Sequence, residues 1–435
     1  MGGTSPPVTT GHGERLWLVH DQNAMPQPTH SMPPSEAPAS PPIRHPVAIA
    51  LALSLGAAVA LGISRFSYGL LLPPMRADLG WSYLVAGSMN TANAVGYFAG
   101  ALVTPWLMRR LGAWRLLMAG AVLAGVFMLA SGAITATAAL MLQRVLAGAA
   151  SALVFIAGGV LAARLGSLYP RNAGFLIGLY YGGTGIGIAL SALLVPAALD
   201  AAQAQGVAHG WQWPWLGLGL ACFVAAAAMA WPARQIGEPA RAAAGTGQFT
   251  LRDFGFGLGG YFMFGAGYIG YMTFVVALLQ QQGMSPARIT TFYALLGLAV
   301  LASSRIWARM LDYFKGGESL AILNLVLAVV TALPALTSEV PVVFVSGMVF
   351  GAVFLSVVAS TTALVRHNLP PSAWPAGISA FTTVFALGQI VGPTLVGWVA
   401  DGAGGLERGL VVSAACLLLG AGLAWRQKAL AQQTH

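Results

Sequence analysis

Two arginines, Arg65 and Arg144, stand inside long apolar runs of the sequence. A charged side chain without a partner in a membrane span costs about 2.5 kcal/mol or more, and such residues usually mark a binding site or a pathway. Every Asp and Glu lies at the end of an apolar run or outside it. A guanidinium binds a carboxylate through two parallel hydrogen bonds, so an external anion would be the natural partner. Alternatively, each arginine only bonds helix carbonyls or a neighbouring asparagine.

The two arginines are predicted to lie at the same depth. Arg65 precedes the end of the first run by about seven residues, and Arg144 follows the start of the fourth run by about seven, which places both roughly 10 Å from one surface. Polar residues of nearby runs could line the same region or bond across helices. These residues are Tyr68, Asn90, Asn93, Gln143 and Gln389.

Aromatic residues recur at helical spacing in the seventh run. They are Tyr261, Phe264, Tyr268 and Tyr271. Such a row could stack on a bound molecule or donate hydrogen bonds to it. The same spacing is also typical of ordinary helix packing, and both interpretations stay open.

The composition requires the elements around these residues to face lipid. The chain is 57% hydrophobic and 8% charged, whereas soluble proteins carry about 25% charged residues. Apolar runs recur from Val47 to about Leu430, roughly every 32 residues, and a span needs about 20. We therefore predict an all-α membrane protein of about twelve transmembrane helices. Cys222 and Cys416 lie inside apolar runs and are expected to pack there.

The ends of the chain differ in character from the spans. Residues 1–46 are rich in Pro, Ser and Thr, which predicts a disordered tail. With both termini in the cytoplasm, basic residues concentrate on that side, and only Arg76, Arg288 and Arg408 fall outside. This bias satisfies the positive-inside rule. The positive net charge therefore reflects topology, and nucleic-acid binding is not expected.

The sequence also contains an internal repeat. Adding 203 to a residue number superposes Gly80 on Gly283 and Gly148 on Gly351. This spacing predicts two six-helix bundles, at residues 47–233 and 253–430, joined by a cytoplasmic linker at 234–252 and followed by a short tail at 431–435. The same offset maps Arg65 onto Tyr268. The first half therefore carries an arginine where the second carries a tyrosine, and the halves are predicted to differ in charge.

The chain resembles a major facilitator superfamily transporter. The resemblance rests on Leu142-Gln143-Arg144-Val145-Leu146-Ala147-Gly148 in the fourth run and on Ala308-Arg309-Met310-Leu311-Asp312 after the eighth. The segment Gly62-Ile63-Ser64-Arg65-Phe66-Ser67-Tyr68 is similar to the uncharacterised YbfB/YjiJ-like branch. The resemblance implies two bundles related by a pseudo-two-fold axis, with a solute site between them.

In the first half, the sequence of the loop after the second run departs from the superfamily's loop signature. Arg109 and Arg110, before Gly112, stand where an acid is expected, whereas Arg309 and Asp312 keep the pattern in the second half. By resemblance these five residues would form the gating loops.

The function expected from these features is secondary transport of a small solute, an organic anion, across the cytoplasmic (inner) membrane. An efflux pump for amphipathic compounds and a non-transporting receptor or scaffold are the alternatives. A monomer is expected, and protons are one candidate coupling ion. The sequence contains no nucleotide-binding loop, metal-ligand cluster or nucleophile with a base, so neither enzymatic activity nor a cofactor or metal is expected.

Overall fold

The computed structural model describes residues 45–237 and 249–430. Residues 1–44 of the predicted tail, residues 238–248 of the predicted linker and the predicted tail at 431–435 lie outside the described residues.

Twelve long helices make up the described chain. They are α1 (Pro46–Leu79), α2 (Tyr83–Leu111), α3 (Ala113–Ser131), α4 (Thr137–Leu168), α5 (Ala173–Ala204), α6 (Gln212–Arg234), α7 (Gly255–Gln281), α8 (Pro286–Ile306), α9 (Glu318–Leu336), α10 (Val340–Asn368), α11 (Trp374–Ala400) and α12 (Gly405–Trp425). Short helical segments at Pro170–Asn172, Leu251–Phe254, Ala308–Tyr313 and Pro371–Ala373 join some of them.

Eleven of these helices are long and apolar enough to cross a membrane. The remaining one, α2, has 29 residues, which is also long enough to span. It is more polar because it carries Asn90 and Asn93 in its middle and Arg109 and Arg110 at its end. The predicted all-α membrane fold is confirmed.

An even number of crossings brings both ends of the described chain to one side of the membrane. We call this the terminal side. The loops that follow α1, α3, α5, α7, α9 and α11 lie on the other side, which we call the loop side.

The helices form two bundles, α1–α6 and α7–α12. Between the bundles, α2 packs against α11, α5 packs against α8, and the segment Tyr68–Leu79 of α1 packs against α7. Each helix of the first bundle corresponds to the helix six places later in the second bundle. If corresponding helices are exchanged, the α2–α11 pair becomes the α8–α5 pair. The contacts therefore have the predicted pseudo-two-fold symmetry.

The offset of 203 residues reappears in the backbone packing. A Cβ atom on Gly148 would lie 2.0 Å from the carbonyl oxygen of Asn93, and one on Gly351 would lie 2.3 Å from that of Leu296. Adding 203 to the numbers of Gly148 and Asn93 gives Gly351 and Leu296, so the same contact occurs in both halves. Gly80 and Gly283 likewise end α1 and α7 with positive φ angles of 64° and 79°.

Helix α1 changes its winding at the middle. Residues Pro46–Ala57 and Tyr68–Leu79 are α-helical, whereas Ala58–Phe66 form a π-helix that includes Arg65. The helix continues through Pro73 and Pro74 to Leu79, so Arg65 lies deeper below the helix end than the expected seven residues. Prolines are tolerated in membrane helices where neighbouring helices surround them, and the segment from Tyr68 to Leu72 is fully buried.

We predict that Gly148→Ala destabilises the protein, because the new methyl group would push α2 and α4 apart. Overpacking of this kind costs about 1–3 kcal/mol. Thermal unfolding of the purified protein in detergent measures the effect. Gly422→Ala is the matched control, since a Cβ at Gly422 meets no atom within 4 Å. Equal melting temperatures for the two variants would contradict the close approach.

Candidate functional site

The backbone on both sides of Arg65 is held by other helices. The carbonyl oxygen of Ser64 accepts a hydrogen bond of 2.8 Å from Nη1 of Arg144 on α4. The carbonyl oxygen of Phe66 accepts one of 2.7 Å from the Tyr293 hydroxyl on α8. Carbonyls in a π-helical turn need such partners because the regular α-helical ladder is interrupted, and π-helical turns occur frequently at functional sites. Both bundles thus position the segment that carries Arg65.

The Arg65 guanidinium is buried without a hydrogen-bond partner for two of its nitrogens. The residue is 1% exposed, and Nε and Nη2 have no partner among the described residues. Buried polar groups are nearly always hydrogen-bonded, and an orphaned donor costs about 1–3 kcal/mol. Nε–H and one N–H of Nη2 point in parallel from the same edge of the planar group. This edge matches the two oxygens of a carboxylate.

Arg144 is bonded more completely than Arg65. Besides Ser64, its Nη2 donates to Oδ1 of Asn90 at 3.2 Å, and Asn90 in turn donates to Thr273 of α7 at 2.7 Å. The Arg144 guanidinium also lies 5.6 Å from the ring of Trp215. Arg144 therefore ties α4 to α1 and α2 and, through Asn90, to the second bundle.

No acidic side chain of the described residues pairs with Arg65 or Arg144. The two arginines are neighbours, because the Arg144 guanidinium binds the carbonyl of Ser64, the residue before Arg65. The only ion pair within residues 45–237 and 249–430 joins Asp78 to His209 at 2.7 Å, near the loop side. A guanidinium removed from water without a counter-charge is unfavourable. The region around Arg65 therefore has a strong positive potential.

The other predicted site residues take different positions. Tyr68 lies 5.0 Å below the Arg144 guanidinium and donates its hydroxyl proton to the Ala86 carbonyl at 2.7 Å. Asn93 donates to the Arg144 carbonyl at 3.2 Å, and its Oδ1 has no partner in the described chain. Gln143 is half-buried, and its Oε1 is similarly unpartnered in that part of the chain.

The tyrosines of α7 divide into two groups. Tyr261 and Tyr268 both stack on Phe385 of α11, with ring centroids 4.9 and 5.7 Å away. Gln389 donates to the Tyr268 hydroxyl at 2.8 Å, and Tyr268 stacks on Phe354, which contacts Phe66 next to Arg65 with ring centroids 5.8 Å apart. Tyr271 instead stacks on a phenylalanine of α10 at 4.1 Å. A shared role of Arg65 and Tyr268 in one site stays a prediction.

Several residues of this region were not anticipated from the sequence. Tyr97 lies 5.7 Å from the Arg65 guanidinium, and Tyr293 and Thr273 make the bonds described above. Tyr97 could have been found, because Asn90, Asn93 and Tyr97 lie at positions i, i+3 and i+7 of one helix face. Tyr293 and Thr273 come from the other bundle, and no local pattern connects them with Arg65.

A family profile described as the uncharacterised MFS-type transporter YbfB matches residues 57–425. The chain belongs to this family of the major facilitator superfamily. It is therefore a multi-pass membrane transporter that sits in a lipid bilayer and binds a small molecule.

Solved structures support the same fold. A bacterial homolog of the human lysosomal transporter Spinster, in an inward-facing and unoccupied conformation, has a TM-score of 0.65 at 15% identity, covering 88% of this chain and 97% of that one. The nucleoside transporter NupG gives 0.62 at 12% identity, with 89% and 100% coverage. FucP, a major facilitator superfamily transporter in the outward conformation, gives 0.57 at 16% identity, with 87% and 97% coverage. No curated protein matches the sequence.

The bundles of this transporter are closely joined on the loop side. Asp401, after the end of α11, accepts hydrogen bonds from the backbone N–H groups of Tyr83 and Leu84 at 2.7 and 2.8 Å. These are the first two residues of α2, where unpaired N–H groups and the helix dipole favour an anion. Gln281 of α7 also donates to the Tyr83 hydroxyl at 2.6 Å. We call the contact between Asp401 and α2 the loop-side latch.

The predicted gating residues lie on the terminal side, and no ion pair joins them in the described chain. The Arg110 guanidinium rests 4.7 Å from the Trp106 ring of its own helix, and the Asp312 carbonyl accepts a bond from Lys315. Arg109 and Arg309 are exposed, and Gly112 ends α2 with a φ angle of 82°. Their role in gating stays a prediction.

Two tyrosines of the first bundle are partly exposed, whereas Arg65 is buried. Tyr97, whose ring lies 5.7 Å from the Arg65 guanidinium, is half-buried, and Tyr181 of α5 is 38% exposed.

We predict that Asp401→Ala opens the loop side. The substitution removes two charge-assisted bonds between the bundles, each worth about 1.5–3 kcal/mol. Spin labels at Gln205 and Ser338, on loop-side ends of different bundles, would report a larger population of long distances by pulsed electron resonance. Glu407→Gln is the control, an exposed loop-side acid for which no bond to α2 is found. An unchanged distance distribution in Asp401→Ala would show that the latch does not hold the bundles together.

Proposed function

We propose that this transporter is a secondary carrier that moves a small organic anion across the cytoplasmic (inner) membrane by alternating access. In this proposal both termini lie in the cytoplasm, the protein works as a monomer, and the two bundles rock about the region between Arg65 and Tyr268. The loop-side latch would then hold a conformation that is closed toward the outside.

One observation carries the proposal. The Nε and Nη2 atoms of Arg65 form a complete bidentate edge that is buried and unpartnered in the described chain. Holding a charged group in this condition is costly, and such sites are retained where a ligand completes them. A carboxylate or another planar oxyanion would accept both hydrogen bonds and neutralise the charge.

The surroundings favour an anion over other solutes. Arg144 adds a second positive charge nearby, and the described spans carry acidic residues only at or near their ends. A cationic solute would meet repulsion with no compensating carboxylate. A neutral solute would leave the two donors of Arg65 without charge compensation. Tyr97 and Tyr268 offer hydroxyl groups for the remainder of the molecule.

We expect Arg65→Gln to lower anion transport at sub-saturating concentrations by at least about 10-fold while raising the melting temperature. Removing an uncompensated buried charge relieves strain in the empty protein, whereas losing a bidentate contact weakens anion binding by ~10-fold to 100-fold. Uptake into proteoliposomes measures transport, using labelled monocarboxylates, dicarboxylates, phosphate monoesters and sulfonates. Flux would be followed in both directions, with and without a pH gradient, so that export and proton coupling are tested together.

Two further variants make this experiment decisive. Arg65→Lys keeps the charge but lacks the planar fork, so transport should fall to an intermediate level. Arg408→Gln removes an exposed loop-side arginine and should leave transport unchanged. Anion transport at the wild-type level in Arg65→Gln would refute the proposed role of Arg65, and transport confined to cations or neutral solutes would refute the anion proposal.

Arg144→Gln should behave differently from Arg65→Gln. It removes the bond to the Ser64 carbonyl and the link through Asn90 to Thr273, so the π-helical segment keeps only the bond from Tyr293. We expect a lower melting temperature and a lower yield of folded protein, with transport falling in parallel. Arg144→Lys can still donate to Ser64 and should recover part of the stability. If Arg144→Gln is as stable as the wild type, the bonding role assigned to Arg144 is wrong.

A further inference from the structure

Five aromatic rings of the second bundle lie nearly parallel to one another. Neighbouring ring centroids are 4.8–5.9 Å apart, and the ring planes differ by 9–19°. We call this group the aromatic wall. It consists of Tyr261, Phe264 and Tyr268 of α7, Phe354 of α10 and Phe385 of α11.

The common orientation of the wall is maintained by contacts among three helices. Aromatic pairs in proteins adopt edge-to-face as well as offset-stacked arrangements, and other pairs of this chain are edge-to-face, such as Phe66 with Phe354 at 88°. Within the wall every neighbouring pair is stacked. A flat ligand that contacts one ring can therefore align with the others without any ring rotating.

One end of the wall lies beside Arg65. Tyr268 stacks on Phe264 at 4.8 Å and on Phe354 at 5.9 Å, and the bond from Gln389 orients its hydroxyl. The Arg65 guanidinium lies 5.7 Å from the Tyr97 ring, and Phe66, the next residue along the chain, contacts Phe354 of the wall with ring centroids 5.8 Å apart. A bidentate donor edge and a stacking surface thus stand next to each other, contributed by different bundles.

Part of the wall is open to contact. Phe385 is half-buried, although it stacks on three other rings. Tyr97, whose ring lies 5.7 Å from the Arg65 guanidinium, is half-buried as well. The described chain therefore leaves part of both ring surfaces uncovered.

We infer that the transported anion is a planar aromatic carboxylate. Its carboxylate would bind the Nε and Nη2 atoms of Arg65, and its ring would stack on the aromatic wall near Tyr268 and Phe385. This inference rests on the proposed function and adds the shape of the molecule to its charge. A saturated acid of the same size forms the same ion pair but lacks a flat π face for stacking.

Two acids with the same carbon skeleton test the inference. Benzoate and cyclohexanecarboxylate both carry one carboxylate on a six-membered ring, and only benzoate is flat and aromatic. Equilibrium binding of each acid to the purified full-length protein in detergent at neutral pH would be compared. We expect benzoate to bind about 5-fold more tightly, within the range of a single aromatic contact. Benzyl alcohol, which has the ring without the charge, should not bind measurably.

Two variants test whether the aromatic wall causes the preference for benzoate over cyclohexanecarboxylate. Phe385→Leu removes the half-buried ring while keeping an apolar side chain, and it should reduce the preference for benzoate to about 1-fold with little change for cyclohexanecarboxylate. Phe344→Leu is the matched control, because Phe344 of α10 contacts only Phe292, edge-on at 6.1 Å, among the ring contacts found. It should preserve the full preference.

The outcomes separate this inference from the proposed function. Equal affinities for the two acids, both lost in Arg65→Gln, would overturn the aromatic preference and leave the anion carrier intact. A preference for benzoate that survives Phe385→Leu would overturn the role of the wall. Failure of both acids to bind, with other anions still transported, would exclude this substrate class. Failure of every anion in the transport assay would refute the proposed function itself.

Discussion

A guanidinium without a counter-charge is the constraint around which the centre of this transporter is organised. Arg65 is kept in place because the carbonyls on either side of it are bonded from α4 and α8, and the Tyr97 ring lies 5.7 Å from its guanidinium. Electrostatic interactions are strong in such a poorly solvated region. In the proposed function this condition favours an anion, since one ligand would satisfy two donors of Arg65 and neutralise its charge.

The two bundles share a backbone design and differ in side chains. The approach of Gly148 to Asn93 and that of Gly351 to Leu296 are the same contact repeated in each half, and repeats of this kind are common in transporters. The first half contributes the arginines, whereas the second contributes the aromatic wall. In the proposed function, a site between these halves would present charge on one side and a flat apolar surface on the other, and would distinguish ligands by both properties.

The interface between the bundles is also unequal along the membrane normal. On the loop side, Asp401 caps the first turn of α2 and the backbones of Gly69 and Met272 approach closely, since a Cβ at Gly69 would lie 2.5 Å from the Met272 carbonyl oxygen. On the terminal side, the arginines of the α2–α3 loop have no acidic partner in the described chain. Hydrogen bonds from a carboxylate to helix N–H groups are strong yet local, so they can hold one conformation without joining the bundles permanently.

The sequence by itself determined the number of spans, the repeat and the presence of two buried arginines, because each depends on composition and on spacing along one chain. It could not divide the roles of Arg65 and Arg144, which have the same side chain in similar apolar runs. The tertiary structure decided this division, since Ser64 and Asn90 come within bonding distance of Arg144 and leave the edge of Arg65 free. It also decided the π-helical turn and the alignment of rings from α7, α10 and α11. These features depend on contacts between distant segments, and no periodicity within a single helix encodes the distance between two helices.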